Sequence, residues 1–175
     1  LFSSTECVKQ ASTYKKVKNM KIIINGAGGR MGKALSAIIE SSEKHSVAAY
    51  CSMEFATDEA QNIYNNINEF EGDADCIIDF SNHLATAEVI GYAVKKNLPI
   101  VVATTGQSEE ELAIIKGAAD SIPVFYSQNM SLGVALLSCL AKIAAKAFPD
   151  ADVEIVEKHH NLKVDAPSGT ALALA

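Results

Sequence analysis

The sequence predicts an α/β protein: a Rossmann-type doubly wound parallel sheet, followed by the start of an α+β substrate domain. Three observations carry this. From Met20 onward, short continuous apolar runs alternate with longer amphipathic segments, the pattern of βαβ units whose sheet is covered on both faces. The first such run ends in a cluster of glycines that opens a helix. Hydrophobic residues make up 49% of the 175, enough to bury one core and part of a second.

The elements follow in order. Residues 21–25 are a β-rich run and 33–40 read as a helix. Residues 47–51 form a second apolar run, and 59–70 are expected to hold a helix. Residues 75–79 make a third strand with isoleucines at its centre. Over 84–96 the spacing of Leu84, Ala87, Val89, Ile90 and Val94 is helical. A fourth strand at 99–103, a helix at 109–119 and a fifth strand at 122–126 complete the domain. Right-handed crossovers then give the doubly wound arrangement. A helix at 131–147 is closed by Phe148-Pro149, and 153–157 alternates as a strand would. The division is therefore a Rossmann-type domain over 20–130 and an incomplete second domain over 131–175. The chain stops at Ala175 inside an apparent helix, with Leu172 and Leu174 lacking anything to pack on, so a further segment is expected. Residues 1–19 are rich in Ser and Lys and poor in acids, and have no apolar signal core. They read as a disordered or non-native extension, with a plastid transit peptide as the alternative.

Charge and cysteine usage narrow the class. A net charge of -6 argues against a nucleic-acid binder. An anionic ligand must then be met by local dipoles and a few placed cations. Cys7, Cys51, Cys76 and Cys139 lack C-x-x-C pairing and read as buried free thiols of a reducing, cytoplasmic compartment. The most apolar stretch, 132–148, carries Lys142 and Lys146 and is too short to span a bilayer.

The glycine cluster is Gly26-Ala27-Gly28-Gly29-Arg30-Met31-Gly32. A tight turn after a strand needs Gly, and so does close approach of backbone to a pyrophosphate. The helix that follows offers unbonded N–H groups and a partial charge of about +0.5. About 20 residues on, NAD-selective folds place an acid for the ribose hydroxyls. Here Cys51-Ser52-Met53 holds that place and Glu54 comes just after. The expectation is dual use of NADPH and NADH, or a tilt to NADPH, with Arg30 either facing a 2′-phosphate or solvated.

The segment His159-His160-Asn161-Leu162-Lys163-Val164-Asp165-Ala166-Pro167-Ser168-Gly169-Thr170 carries the rest. Adjacent histidines on a strand end point to opposite sides, a poor metal site, so none is expected. Ser168 can cap a helix, leaving the N–H groups of Gly169 and Thr170 to join Lys163 as a carboxylate clamp. The reading is an anionic-substrate site with an acid/base histidine, against a purely structural loop.

These motifs resemble, in order, those of the 4-hydroxy-tetrahydrodipicolinate reductase (dihydrodipicolinate reductase) family. They are Gly26 to Gly32, Asp79-Phe80-Ser81, Ala103-Thr104-Thr105-Gly106, Asn129 to Val134, and Glu157 to Ala171. The resemblance implies hydride transfer from NADPH or NADH to a small cyclic dicarboxylate in lysine and diaminopimelate biosynthesis, and a homotetramer. It also implies that 20–130 is the dinucleotide-binding domain and 131–175 the incomplete substrate-binding and catalytic domain. It assigns the cofactor to Gly26, Ala27, Gly28, Gly29, Arg30 and Met31, to Ala103, Thr104 and Thr105, and to Ser127, Gln128, Asn129 and Met130. It assigns proton transfer to His159 and Lys163, and the substrate carboxylates to His160, Gly169 and Thr170. Ala103 and the Ser127-Gln128 pair depart from common family residues, and Ser52 stands where some members have an acid. Two other readings stay open. One is a nucleotide-binding fragment without turnover; the other is a Rossmann oxidoreductase for another small carboxylate.

Overall fold

The computed structural model describes residues 19–159, 161 and 167–175. The extension expected over 1–19 lies outside these apart from Asn19, and so do His160 and Lys163. Six parallel strands form one sheet: β1 (Met20–Asn25), β2 (His45–Cys51), β3 (Ile63–Tyr64), β4 (Cys76–Asp79), β5 (Ile100–Val102) and β6 (Val124–Tyr126). Their spatial order is β3-β2-β1-β4-β5-β6. The chain direction of winding reverses between β1 and β4, which makes the crevice at their carboxyl ends the topological switch point. The helices are α1 (Arg30–Glu40), α2 (Thr86–Lys96), α3 (Glu109–Ala118), α4 (Leu132–Ala147) and α5 (Gly169–Leu174).

Both sheet faces are covered, which is why the strands are apolar throughout. Ile23 and Ile77 are fully buried on one face, packed with Val89, Ile90 and Ala93 of α2 and Ile115 of α3. Ile22 and Ile24 bury on the other face with Ile39 and Leu35 of α1. Each fully buried isoleucine contributes roughly 1.5–3 kcal/mol. Local signals set the helix ends. Ser108 and Glu111 form a reciprocal capping box at the start of α3, and Asn97 takes a left-handed conformation (φ 53°) to end α2.

Three expectations are corrected. Residues 59–70 are not a helix. Asn62 is left-handed (φ 55°) and breaks the first short 3₁₀ turn, and the Asn66 side chain caps a second one. Between them the backbone amides of Tyr50 and Ser52 donate to the carbonyls of Asn62 and Tyr64, adding β3 as a sixth strand. Residues 153–157 form no strand; no described strand runs beside them to supply a ladder, and Val153 and Ile155 are exposed. Cys139 is exposed on α4, whereas Cys51 and Cys76 are buried and free as expected. Leu172 is exposed as anticipated, and Leu174 is half-buried. No described residue of α4 is buried, and Leu136, Leu140 and Ile143 lie exposed along it. No described helix is long and apolar enough to cross a membrane.

Candidate functional site

The glycine loop lies between β1 and α1. Gly26 has φ +83°, and a Cβ there would sit 2.5 Å from the Phe80 carbonyl oxygen. Only glycine fits such a turn. The amides of Gly26 and Ala27 both donate to the Cys51 carbonyl, at 2.8 and 3.0 Å, which pins the loop across the end of β2. A Cβ on Gly32 would lie 2.2 Å from the Gly26 carbonyl oxygen, so the first turn of α1 presses directly on the loop. No side chain caps α1, and its first turn holds no acid. Its leading N–H groups are therefore available to an anion. Arg30 and Met31 are exposed at this end.

Asp79 closes the switch point from beneath. Only 2% exposed, it accepts from Asn25 Nδ2 at 2.8 Å, Thr104 Oγ1 at 2.8 Å and Ser81 Oγ at 2.6 Å. This ties the carboxyl ends of β1, β4 and β5 together. Thr104 thus turns its hydroxyl inward, and Ala103 is buried, while Thr105 and Gly106 face outward. The Cys51 thiol is packed away; burial first, then the Glu69 charge, pushes its pKa up to about 12, so it is chemically inert.

Two clefts open here. The first, about 240 Å³, is lined by Gly26, Gly29, Ser52, Glu54, Asn66 and Asn82 among others. The second, about 870 Å³, is lined by Thr105, Gly106, Gln128, His159, Gly169 and Thr170, with Asn82 again at its edge. Asn82 therefore marks where the two meet. Its side chain accepts from the Leu84 amide at 3.0 Å, fixing the loop after β4.

The second cleft gathers residues far apart in sequence. Ser168 caps α5 by accepting from the Ala171 amide at 3.1 Å, as predicted. Glu157 accepts from the Ser168 amide at 2.9 Å and stands 3.6 Å from His159 Nδ1. Asn129 Nδ2 donates to Thr170 Oγ1 at 2.8 Å, holding the segment after β6 against α5. Gln128 Nε2 donates to the Tyr126 hydroxyl at 3.0 Å, which donates to Gln107 at 3.2 Å, which donates in turn to the Thr104 carbonyl at 2.9 Å. Ser127 donates to the Asn129 carbonyl at 2.8 Å, so its hydroxyl serves the turn, and Met130 is exposed beside it. His160 and Lys163 lie outside the described residues. Sequence reading missed Asn82, Gln107 and the role of Glu157. Glu157 stood inside the quoted motif, but nothing in its spacing tells that it bonds eleven residues ahead. Among the described residues no group of three or more His, Cys, Asp or Glu side chains is arranged to hold a metal ion.

A six-stranded parallel sheet, a glycine cradle at its switch point and an uncapped helix end define a Rossmann-type α/β protein of the dinucleotide-binding class. Residues 20–130 match the model of the dihydrodipicolinate reductase N-terminus, and residues 133–175 match that of the dihydrodipicolinate reductase C-terminus. The chain belongs to the dihydrodipicolinate reductase family. It is 45% identical over 157 residues to the 4-hydroxy-tetrahydrodipicolinate reductase of Caldanaerobacter subterraneus subsp. tengcongensis, covering 89% of this chain and 62% of that protein. With the Clostridium novyi enzyme of the same name the identity is 42%, covering 88% and 62%. The chain thus spans just under two thirds of the length of these relatives. Among solved structures, the dipicolinate-bound dihydrodipicolinate reductase of Paenisporosarcina sp. TG-14 superposes with a TM-score of 0.69 at 24% identity, over 89% of this chain and 63% of that one. An Agrobacterium radiobacter oxidoreductase in complex with NAD+, L-tartaric acid and magnesium shares the fold at TM-score 0.57 and 12% identity, over 73% and 41%.

Proposed function

We propose that the protein catalyses nicotinamide-dependent reduction of 4-hydroxy-tetrahydrodipicolinate to tetrahydrodipicolinate, a step of lysine and diaminopimelate biosynthesis. The observation that carries this is the meeting of the glycine cradle with the cleft of His159, Gly169 and Thr170, in a chain whose whole length from residue 20 matches one reductase family. The residues present fit a dinucleotide: Gly26 and Gly32 leave no room for a Cβ, and α1 offers uncapped amides to a pyrophosphate. Gly26 to Met31 hold that group, and Thr105 with the 127–130 segment borders its nicotinamide end. The bound dinucleotide supplies the hydride.

The remaining work falls to this chain's own side chains. Dipicolinate, which the Paenisporosarcina enzyme holds, is a flat ring with two carboxylates, and we assign the substrate to that class. Two anchors are needed to fix which ring atom faces the nicotinamide. His160, Lys163 and the α5 amides of Gly169 and Thr170 fill that role. His159, steadied by Glu157, manages the proton together with Lys163. We place the enzyme in the cytoplasm, as a homotetramer.

The cradle is tested by Gly29→Asp. A Cβ at Gly29 has room, its nearest atom being the Gly26 carbonyl oxygen at 3.4 Å. The variant should therefore fold, yet set a carboxylate at the pyrophosphate seat. We expect it to weaken NADH and NADPH alike by roughly tenfold or more, about 1.4 kcal/mol each. Unchanged affinity in calorimetry would remove the loop from the cofactor site.

A further inference from the structure

We infer that this chain selects NADH over NADPH and that Glu54 is the residue that reads the adenosine ribose. The inference rests on the nicotinamide reading of the glycine loop. From sequence, Ser52 at the usual acid position predicts dual use or a tilt to NADPH. The fold instead brings an acid in from two residues later. A Cβ built on the buried Gly28 would lie 2.9 Å from Glu54 Oε2 and 2.8 Å from Ser52 Oγ. The carboxylate and the hydroxyl therefore converge on one point above the loop. Both line the first cleft beside Gly26 and Gly29.

The chemistry of that pair suits a vicinal diol. A carboxylate accepts from two neighbouring hydroxyls, and a serine hydroxyl both donates and accepts. Glu54 has no side-chain hydrogen-bond partner among the described residues, so its oxygens are available. A 2′-phosphate brings about two negative charges to the same spot. It would need a cation there, and among the described residues the cleft supplies none. Its charged lining residues are Glu54 and Glu88, both acidic, and Glu88 is engaged by Asn66 and Asn68 at 2.6 and 2.8 Å. Arg30, the sequence candidate for a phosphate partner, does not line this cleft. Like charges brought together at short range, without a compensating cation, disfavour binding.

The test is equilibrium binding of NADH and NADPH to the full-length chain by fluorescence titration, with the apparent melting temperature as a folding control. The wild type should bind NADH at least about tenfold more tightly than NADPH. Glu54→Gln should bring the two affinities to within about threefold, by weakening NADH and relieving NADPH, at an unchanged melting temperature. Glu54→Arg should reverse the order. A wild type that binds both equally, or prefers NADPH, overturns this assignment alone. So does a Glu54→Gln variant with the wild-type ratio. Failure of the folded wild type to bind either dinucleotide overturns the nicotinamide reading itself, and this inference with it.

Discussion

Replacing His159 by Gln should lower kcat by about 100- to 10,000-fold with only a modest change in KM, the range expected when a general acid is lost. The geometry gives the reason. His159 lines the larger cleft with Thr105, Gly106, Gly169 and Thr170, and its Nδ1 faces Glu157 at 3.6 Å. Glu157 is itself fixed to α5 through the Ser168 amide, so the imidazole is oriented by the same element that presents the Gly169 and Thr170 amides. An imidazole carries one ring nitrogen that can donate a proton and one that can accept it, which suits proton transfer. We assign Lys163, close by in sequence, a different task as a point cation. Lys163→Ala should damage both kcat and KM, because a dicarboxylate loses an anchor as well as a donor. NADH affinity should stay near normal in both variants. If these residues only shape the segment, both variants will show lower melting temperatures and similar, small kinetic losses. A variant that keeps more than about a tenth of wild-type kcat/KM excludes that residue as a principal proton donor.

Gly32→Ala should be strongly destabilising for a single added methyl. Its Cβ would meet the Gly26 carbonyl oxygen at 2.2 Å and the Ala27 Cα at 2.6 Å. Both are backbone atoms of a loop pinned to the Cys51 carbonyl, so neither can move aside cheaply. Overpacking of this kind costs about 3 kcal/mol, at the upper end of its usual range. For a chain of this size that lowers the melting temperature by roughly 6–12 °C. Parting α1 from the loop also spoils the cradle, so dinucleotide affinity should fall with stability. Gly91→Ala is the control. Nothing lies within 4 Å of a Cβ there, and the position is exposed inside α2. The same substitution should stabilise that helix by about 1 kcal/mol. Equal melting temperatures for the two variants would show that the loop is less tightly packed than its contacts require.

The sheet was legible in the sequence because its strands are buried on both faces. Runs such as Ile22-Ile23-Ile24 and Ile77-Ile78 admit few other readings beside glycine turns and amphipathic helices. The cradle was legible because sterics leave glycine no substitute at Gly26 and Gly32. The edge strand β3 was not, since a two-residue strand between two asparagine-capped turns carries no period to count. Nor was the absence of a strand at 153–157 visible, because alternation shows what could pair and says nothing of whether a partner lies alongside. The position of Glu54 was hidden for a geometric reason, since an acid sought about 20 residues past the loop is named by sequence distance, whereas the turn after β2 brings the Glu54 carboxylate back over Gly28. The bonds of Glu157 to Ser168 and of Asn129 to Thr170 were equally hidden, as they join residues 11 and 41 positions apart that no local pattern links.

We propose that one chain joins a dinucleotide cradle to a dicarboxylate cleft for reduction. The most direct measurement is oxidation of NADH by the full-length protein in the presence of freshly prepared 4-hydroxy-tetrahydrodipicolinate. Oxidation should require the substrate, saturate with it and collapse in His159→Gln although NADH still binds. A folded wild-type protein that binds NADH yet shows no substrate-dependent oxidation would contradict it.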